Sequence, residues 1–520
     1  MAASSTAKSA TKKRKSVSRG KNATLDFSSS QFKAALRRSE KLVMDYLDSV
    51  NRKPIFPRLD GERLRRIIRE PLPVSPRSPV RVLQEFERRV LPYVRHNLHP
   101  RFFGYVSSPG NPMGVVADLV TAAVNQNVTS WRSAPVATEV ELQTIDWIKE
   151  LVGYPAEALG MFTSGGSSAN LQALAVAREI IANAEVSLHG VQSLGRQKLV
   201  LYMSTEGHMS IPKAMGLLGL GKSAVRTVRV DSSFGMDTND LQQKIEEDRA
   251  HGLSPFCVVG NAGTVNTGAI DDLGEIGRIA AREKMWFHVD AAYGGYAMLV
   301  PQVKKRFRGL ESADSVTLDP HKWLYQPIDA GCVLIRDRRH AHRTFSGSGD
   351  YAKVIAGLPG EDFAFFEHGM DLTRRFRALK IWMTFKCYGV RALRSNVEKN
   401  LKMAQYLRNR ITSCEDIELL APVELAIVCF RFIPKEFRER YARETPATQR
   451  ALDDQLNGWN RELMTRMQRG GVAYVSNAVL NGKFALRACV LSYRTEEQDM
   501  DILVGEIQKL GRAIAREKKD

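Results

Sequence analysis

One lysine sits between a proline and two bulky rings in Asp319-Pro320-His321-Lys322-Trp323. An amine held there is poorly placed as a solvated surface charge, and a lysine amine can attack a carbonyl carbon. The pair His321-Lys322 taken alone also suits a surface turn. Thirty-two residues earlier, the apolar run Phe287-His288-Val289 ends in Asp290 and passes into Ala291-Ala292-Tyr293-Gly294-Gly295. A carboxylate at the carboxyl end of a buried strand can face a ligand crevice and keep a proton on a cationic ring nitrogen. Equally, it can cap the next helix. The third group is Phe162-Thr163-Ser164-Gly165-Gly166, which runs into Ser167 and a helical stretch. Glycine lets a backbone approach an anion closely, and the free N–H groups and dipole of a helix start favour that anion. Ordinary helices are capped by similar residues. Together, an anion cradle, a buried acid and an amine at successive strand ends are the three anchors of pyridoxal phosphate (PLP).

Such groups meet only if the chain between them builds a common edge. Short β-rich runs at Lys198–Met203, Ala224–Val230, Phe256–Gly260, Met285–Asp290, Ser315–Leu318 and Cys332–Ile335 alternate with helical stretches at Ser168–Ala184, Thr238–Asp248 and Asp272–Glu283. Strands apolar on both faces with helices between them predict a doubly wound, mainly parallel α/β sheet, whose ligands bind at the strands' carboxyl ends. Near residue 390 the pattern changes. Tyr474–Leu480 and Phe484–Leu491 flank Asn481-Gly482, a hairpin signature that predicts a smaller α+β domain. The expected organisation is a disordered basic tail at 1–24, an N-terminal helical segment at 25–110, a large α/β domain at 111–390 and a small domain at 391–520. Helical spacing marks Phe32–Val50 and Pro79–Val94 in the N-terminal segment, with Pro54, Pro57, Pro71, Pro73 and Pro76 between them.

With these motifs in order, the sequence resembles the group II PLP-dependent amino-acid decarboxylases, which include aromatic-amino-acid, histidine, glutamate and diaminobutyrate decarboxylases. The resemblance spans roughly residues 80 to 400 and, more loosely, the C-terminal domain. It implies PLP-dependent transferase fold type I and a homodimer with the active site at the interface. It makes Lys322 the residue that holds the cofactor's aldehyde and Asp290 the partner of the pyridine nitrogen. His208, in Glu206-Gly207-His208-Met209-Ser210, becomes the imidazole stacked on the ring; without the family it reads as an ordinary helix-start histidine. Gly166 and Ser167 are assigned to the phosphate, Thr264 to the underside of the ring, Ala292 to the cofactor-binding set, and His321 to the space beside phosphate and reacting carbon. Aromatic-specific members usually carry an acid where Ser168 stands, and Asp319 replaces the Asn of several animal members. Tyr351 stands 23 residues before Arg374-Arg375-Phe376-Arg377, matching the mobile-loop tyrosine that delivers a proton in decarboxylases. Related aldehyde synthases carry Phe there, so Tyr351 favours amine formation. The surrounding Ser346–Glu361, with four glycines, suits a lid. Ser108, Asn127 and Thr129 align with substrate-pocket positions; Asn127 and Thr129 stand where animal aromatic-amino-acid decarboxylases have Ile and Phe, which predicts a more polar wall.

Composition limits the alternatives. The 520 residues are 43% hydrophobic and 26% charged, as expected for a globular protein of several structural units. The net charge of +19 suggests an anionic partner, but seven of those charges (Lys8, Lys12, Lys13, Arg14, Lys15, Arg19 and Lys21) lie in the tail. A tail that binds nucleic acid or an anionic surface is the non-enzymatic alternative; no nucleic-acid partner is expected. The six cysteines form no CxxC pair, so neither a metal site nor a disulfide framework is expected, and a reducing cytoplasm fits. No apolar stretch is long enough for a membrane span or secretory signal. The expected activity is decarboxylation of an L-amino acid to amine and CO2, with aromatic substrates of tryptophan, tyrosine or dopa type ranked first. An acidic or other polar substrate, or an aldehyde synthase or aminotransferase on the same cofactor, is the alternative.

Overall fold

The computed structural model describes residues 25–347, 360–441 and 443–518; the basic tail and Tyr351 lie outside them. Seven strands form the larger sheet: β2 (Leu159–Thr163), β3 (Leu199–Ser204), β4 (Val225–Val228), β5 (Ser254–Asn261), β6 (Trp286–Asp290), β7 (Ser315–Leu318) and β8 (Gly331–Ile335). Their order is β2-β8-β7-β6-β5-β3-β4, with only β8 antiparallel to its neighbours. The expected doubly wound sheet is therefore present. Every residue of β3, β6 and β7 is buried, as continuous apolar runs covered on both faces must be. β2 was not foreseen as a strand because Leu159-Gly160-Met161-Phe162-Thr163 is short and does not alternate. Its Gly160 backbone lies too close to Ile145 and Leu334 to admit a Cβ.

A smaller sheet has the order β1-β11-β12-β10-β9, from β1 (Phe102–Phe103), β9 (Ile417–Leu419), β10 (Ile427–Phe432), β11 (Tyr474–Leu480) and β12 (Lys483–Cys489). Asn481 (φ 51°) and Gly482 (φ 81°) are both left-handed, the backbone a type I′ hairpin turn requires. One apolar core runs through both sheets. The long helix Ala378–Thr412 that connects them breaks at Gly389 (φ 69°, ψ 163°).

Residues 25–49 and 59–93 form a separate compact unit, while 50–58 and 94–518 form the main one. The first unit holds helices Ser29–Ser49, Gly61–Ile68 and Pro79–Arg89, none of which buries a residue. Arg89 clasps it together, donating to the Ile67 carbonyl and pairing with Glu70 and Glu85. The N-terminal segment expected to reach residue 110 is shorter than that, because Phe102 and Phe103 pair in parallel with Tyr474 and Val475 and so join the small sheet. No described helix is long and apolar enough to cross a membrane.

Candidate active site

The carboxyl ends of β2, β3, β5, β6 and β7 converge, and the residues just beyond them line a cavity of about 500 Å3. Ser164–Ser168, His208, Gly263, Asp290, Ala292, Asp319, His321 and Lys322 all face it. A larger cavity of about 940 Å3 opens beside Asp231, Asp272 and Arg308, but none of the expected site residues lines it.

Lys322 is positioned by a single helical turn, Pro320–Trp323, with proline at the first helical position, where its missing N–H costs nothing. The next residue anchors that turn. Trp323 is fully buried, stacks on Tyr293 with ring centroids 5.1 Å apart, and donates its indole N–H to Asn400 Oδ1 at 3.2 Å. The Tyr325 hydroxyl donates to the same oxygen at 2.7 Å. The Lys322 amine is thereby held 2.9 Å from Asp319 Oδ2. His321 donates from Nδ1 to the Ala330 carbonyl at 2.6 Å, which leaves Nε2 as the free nitrogen, 3.7 Å from Asp319 Oδ2. Burial lowers the His321 pKa, favouring the neutral imidazole.

Asp290 ends β6 and is buried, with no cationic side chain among the described residues within salt-bridge distance. Its Oδ2 accepts from Asn170 Nδ2 at 2.9 Å and its Oδ1 from the Ala292 N–H at 3.1 Å. Opposite it, helix Gly166–Ala182 begins without a side-chain cap. Gly165 there has φ 155° and ψ 174°, a conformation that only glycine adopts readily. A Cβ on Gly166 would meet Ala292 Cβ and Asp319 Oδ2 at 3.1 Å each.

These residues fit PLP. The uncapped helix start and its glycines suit a phosphate, and the buried Ser168 Oγ and Asp319 Oδ1 have no hydrogen-bond partner among the described residues. Asp290 suits a protonated ring nitrogen, and Lys322 suits an aldehyde. Bound PLP supplies a ring that accepts the electrons released when a carboxylate departs.

Several expected residues stand elsewhere. Thr264 is buried, but its hydroxyl bonds Thr267 Oγ1 at 2.9 Å, and only its neighbours Gly263 and Val265 line the cavity. Ser108 donates to the His321 carbonyl at 2.9 Å and so steadies the lysine turn. Asn127 is exposed and accepts from the Arg374 N–H at 2.7 Å; Thr129 is half-buried, and neither borders this cavity within one chain. Six lining residues were missed: Tyr105, Val106, Asn170, Asn261, Ile328 and Arg487. Arg487 carried a signal, since a charge inside the apolar run Phe484-Ala485-Leu486-Arg487-Ala488-Cys489 must have a reason to be buried. Its Nε and Nη2 are buried and have no hydrogen-bond partner among the described residues.

A family model described as the pyridoxal-dependent decarboxylase conserved domain matches residues 62–433. The aromatic-L-amino-acid decarboxylase of Bacillus atrophaeus is 34% identical over 474 residues, 91% of this chain and 94% of that protein. Among solved structures, Oryza sativa TDC with PLP and tryptamine matches with a TM-score of 0.85 at 26% identity, covering 95% of this chain and 100% of that one. The glutamate decarboxylase domain of diaminobutyrate-pyruvate transaminase and L-2,4-diaminobutyrate decarboxylase from Vibrio parahaemolyticus matches with a TM-score of 0.80 at 28% identity, over 94% and 97% of the two chains. The chain belongs to the pyridoxal-dependent decarboxylase family. It is a PLP-dependent amino-acid decarboxylase with the type I fold, and PLP is its cofactor.

Proposed function

We propose that the protein decarboxylates an aromatic L-amino acid to its amine and CO2 in the cytoplasm. The observation that carries this reading is the apolar lining of Tyr105, Val106, Val265 and Ile328 on a cavity that also holds Lys322 and Asp290. An aromatic side chain buries a large apolar area against such a wall. Lys322 holds the cofactor, Asp290 keeps its ring nitrogen protonated, His208 flanks the ring, and Gly166, Ser167, Ala292 and His321 complete its seat. Tyr351, from the family resemblance, delivers the final proton. Incubating the PLP-loaded protein with individual amino acids tests this. Fastest CO2 release from tryptophan, tyrosine or dopa, with equal amine, supports it; aldehyde with ammonia and peroxide, or a keto acid, refutes it.

Arg487 favours a second reading, because a guanidinium whose buried Nε and Nη2 have no hydrogen-bond partner among the described residues suits a carboxylate, including the distal one of an acidic substrate. In the aromatic reading Arg487 binds the α-carboxylate before it leaves. Arg487→Met is then expected to raise KM about tenfold or more, the worth of a charge-assisted hydrogen bond, with a smaller change in kcat. The product amine has lost that carboxylate and should inhibit wild type and variant equally. Weaker inhibition of the variant by an amine that keeps a distal carboxylate, together with CO2 release from glutamate or aspartate, would instead establish the acidic substrate.

The active form is a homodimer. Helix Pro112–Val124 leaves Val116 (49%), Leu119 (58%), Val120 (40%) and Val124 (47%) exposed, and Asn127 and Thr129 follow directly. Burying each such side chain is worth about 1.5–3 kcal/mol, so a second copy is the economical cover, and its Asn127 and Thr129 would complete the substrate wall. Leu119→Glu is expected to yield monomers by analytical ultracentrifugation and to lose most activity. A wild-type monomer with full turnover would contradict this arrangement.

A further inference from the structure

Asp290 is backed by a continuous chain of buried hydrogen bonds that centres on Asn170. Asn170 is 1% exposed and uses both ends of its amide. Nδ2 donates to Asp290 Oδ2 and to Ser210 Oγ, each at 2.9 Å, while Oδ1 lies 3.0 Å from His288 Nε2. An ionised carboxylate only accepts, so Asp290 dictates which end of the amide faces it. Oδ1 must then accept from His288, which puts the proton of that neutral imidazole on Nε2 and makes Nδ1 an acceptor. Ser315 Oγ stands 2.8 Å from Nδ1 and supplies the hydrogen, while its oxygen accepts from the Trp286 indole N–H at 2.8 Å. Complete burial disfavours the charged form of His288 and keeps this direction intact.

The second branch runs to His208. Ser210 Oγ accepts from Asn170, so its own hydrogen is free for His208 Nδ1 at 2.7 Å, and the Ser210 backbone N–H approaches the same nitrogen at 3.2 Å. With Nδ1 occupied as an acceptor, the proton of neutral His208 belongs on Nε2.

We infer that Asn170 is a positioning residue for two of the groups assigned to the cofactor ring: its amide aims Asp290 and, through Ser210, keeps the His208 proton on Nε2. This rests on the assignment of Asp290 to the pyridine nitrogen. One amide serves both because its two N–H groups point in different directions and its oxygen is locked by His288.

The test uses the full-length protein loaded with PLP labelled with 15N in the ring, so that the ring-nitrogen resonance reports its protonation. Asn170→Leu removes all three bonds at similar volume. It is expected to weaken PLP binding about tenfold, the worth of a hydrogen bond to a charged group, and to move the ring-nitrogen signal toward the unprotonated position. If that variant does not fold, Ser315→Ala, which releases His288 from the far end, should shift the signal in the same direction by less. Ser210→Ala cuts only the His208 branch and should lower kcat while leaving PLP affinity within about twofold. A merely structural role for Asn170 would lower the melting temperature and leave the resonance unmoved, which would overturn the inference. Asp290→Asn separates the two claims. If its signal also matches wild type, the assignment of Asp290 is wrong; if it moves while that of Asn170→Leu does not, only the inference fails.

Discussion

Lys322→Ala is expected to abolish covalent retention of PLP and to lower kcat by at least about a thousandfold. Among the described residues no second lysine lines the cavity. Borohydride reduction followed by peptide mass spectrometry should find the pyridoxyl adduct on Lys322 in wild type and nowhere in the variant. The substitution also leaves the buried Asp319 carboxylate without the ammonium 2.9 Å away, and Oδ1 of that residue already lacks a hydrogen-bond partner among the described residues. An uncompensated buried charge destabilises a fold, so the variant should melt earlier. The double variant Asp319→Asn with Lys322→Ala separates stability from chemistry: it should regain melting temperature and remain inactive. Near-wild-type turnover in either variant would remove Lys322 from the mechanism.

Asp290→Ala is expected to lower kcat by roughly two to three orders of magnitude, the usual effect of deleting one preorganised electrostatic partner. The acid receives two hydrogen bonds, from Asn170 and Ala292, but meets no cation of the described residues within salt-bridge distance, so its charge is available to a ring nitrogen. Asp290→Glu keeps the charge but lengthens the side chain by one methylene in a buried site, and should fall between the two. The decisive measurement is single-turnover decarboxylation at saturating PLP, which separates the chemical step from weaker cofactor binding. If the alanine variant matches wild type there, the ring nitrogen needs no protein acid.

Much of the fold was legible because the strands carry their own signature. Continuous apolar runs such as Leu199–Ser204 and Trp286–Asp290 cannot be solvated on either face, and helices must cover them. The Asn481-Gly482 turn announced its hairpin because few residue pairs accept two successive left-handed conformations. Helix Gly61–Ile68 was hidden between prolines, although Asp60 caps it through the Arg63 N–H at 2.8 Å. The β1 strand was hidden for another reason: two phenylalanines make a strand only when Tyr474 and Val475 lie alongside them.

At the site the same division holds, and it follows the range of the interactions. Lys322, Asp290, Gly166 and Ser167 could be read from the chain because a proline-started turn, a strand end and a glycine-led helix are local geometries set by neighbouring residues. Partnership is not local. Whether a hydroxyl meets ligand or protein depends on what the fold brings beside it, and folding turned Ser108 toward the His321 carbonyl, 213 positions away. It also set Asn170 against Asp290 across 120 positions of sequence and brought Arg487 from the small sheet into the cavity. The residue types thus determined the cofactor and the class of chemistry. Only packing and strand register decided which polar groups would be spent on the scaffold and which would be left unpaired for a ligand.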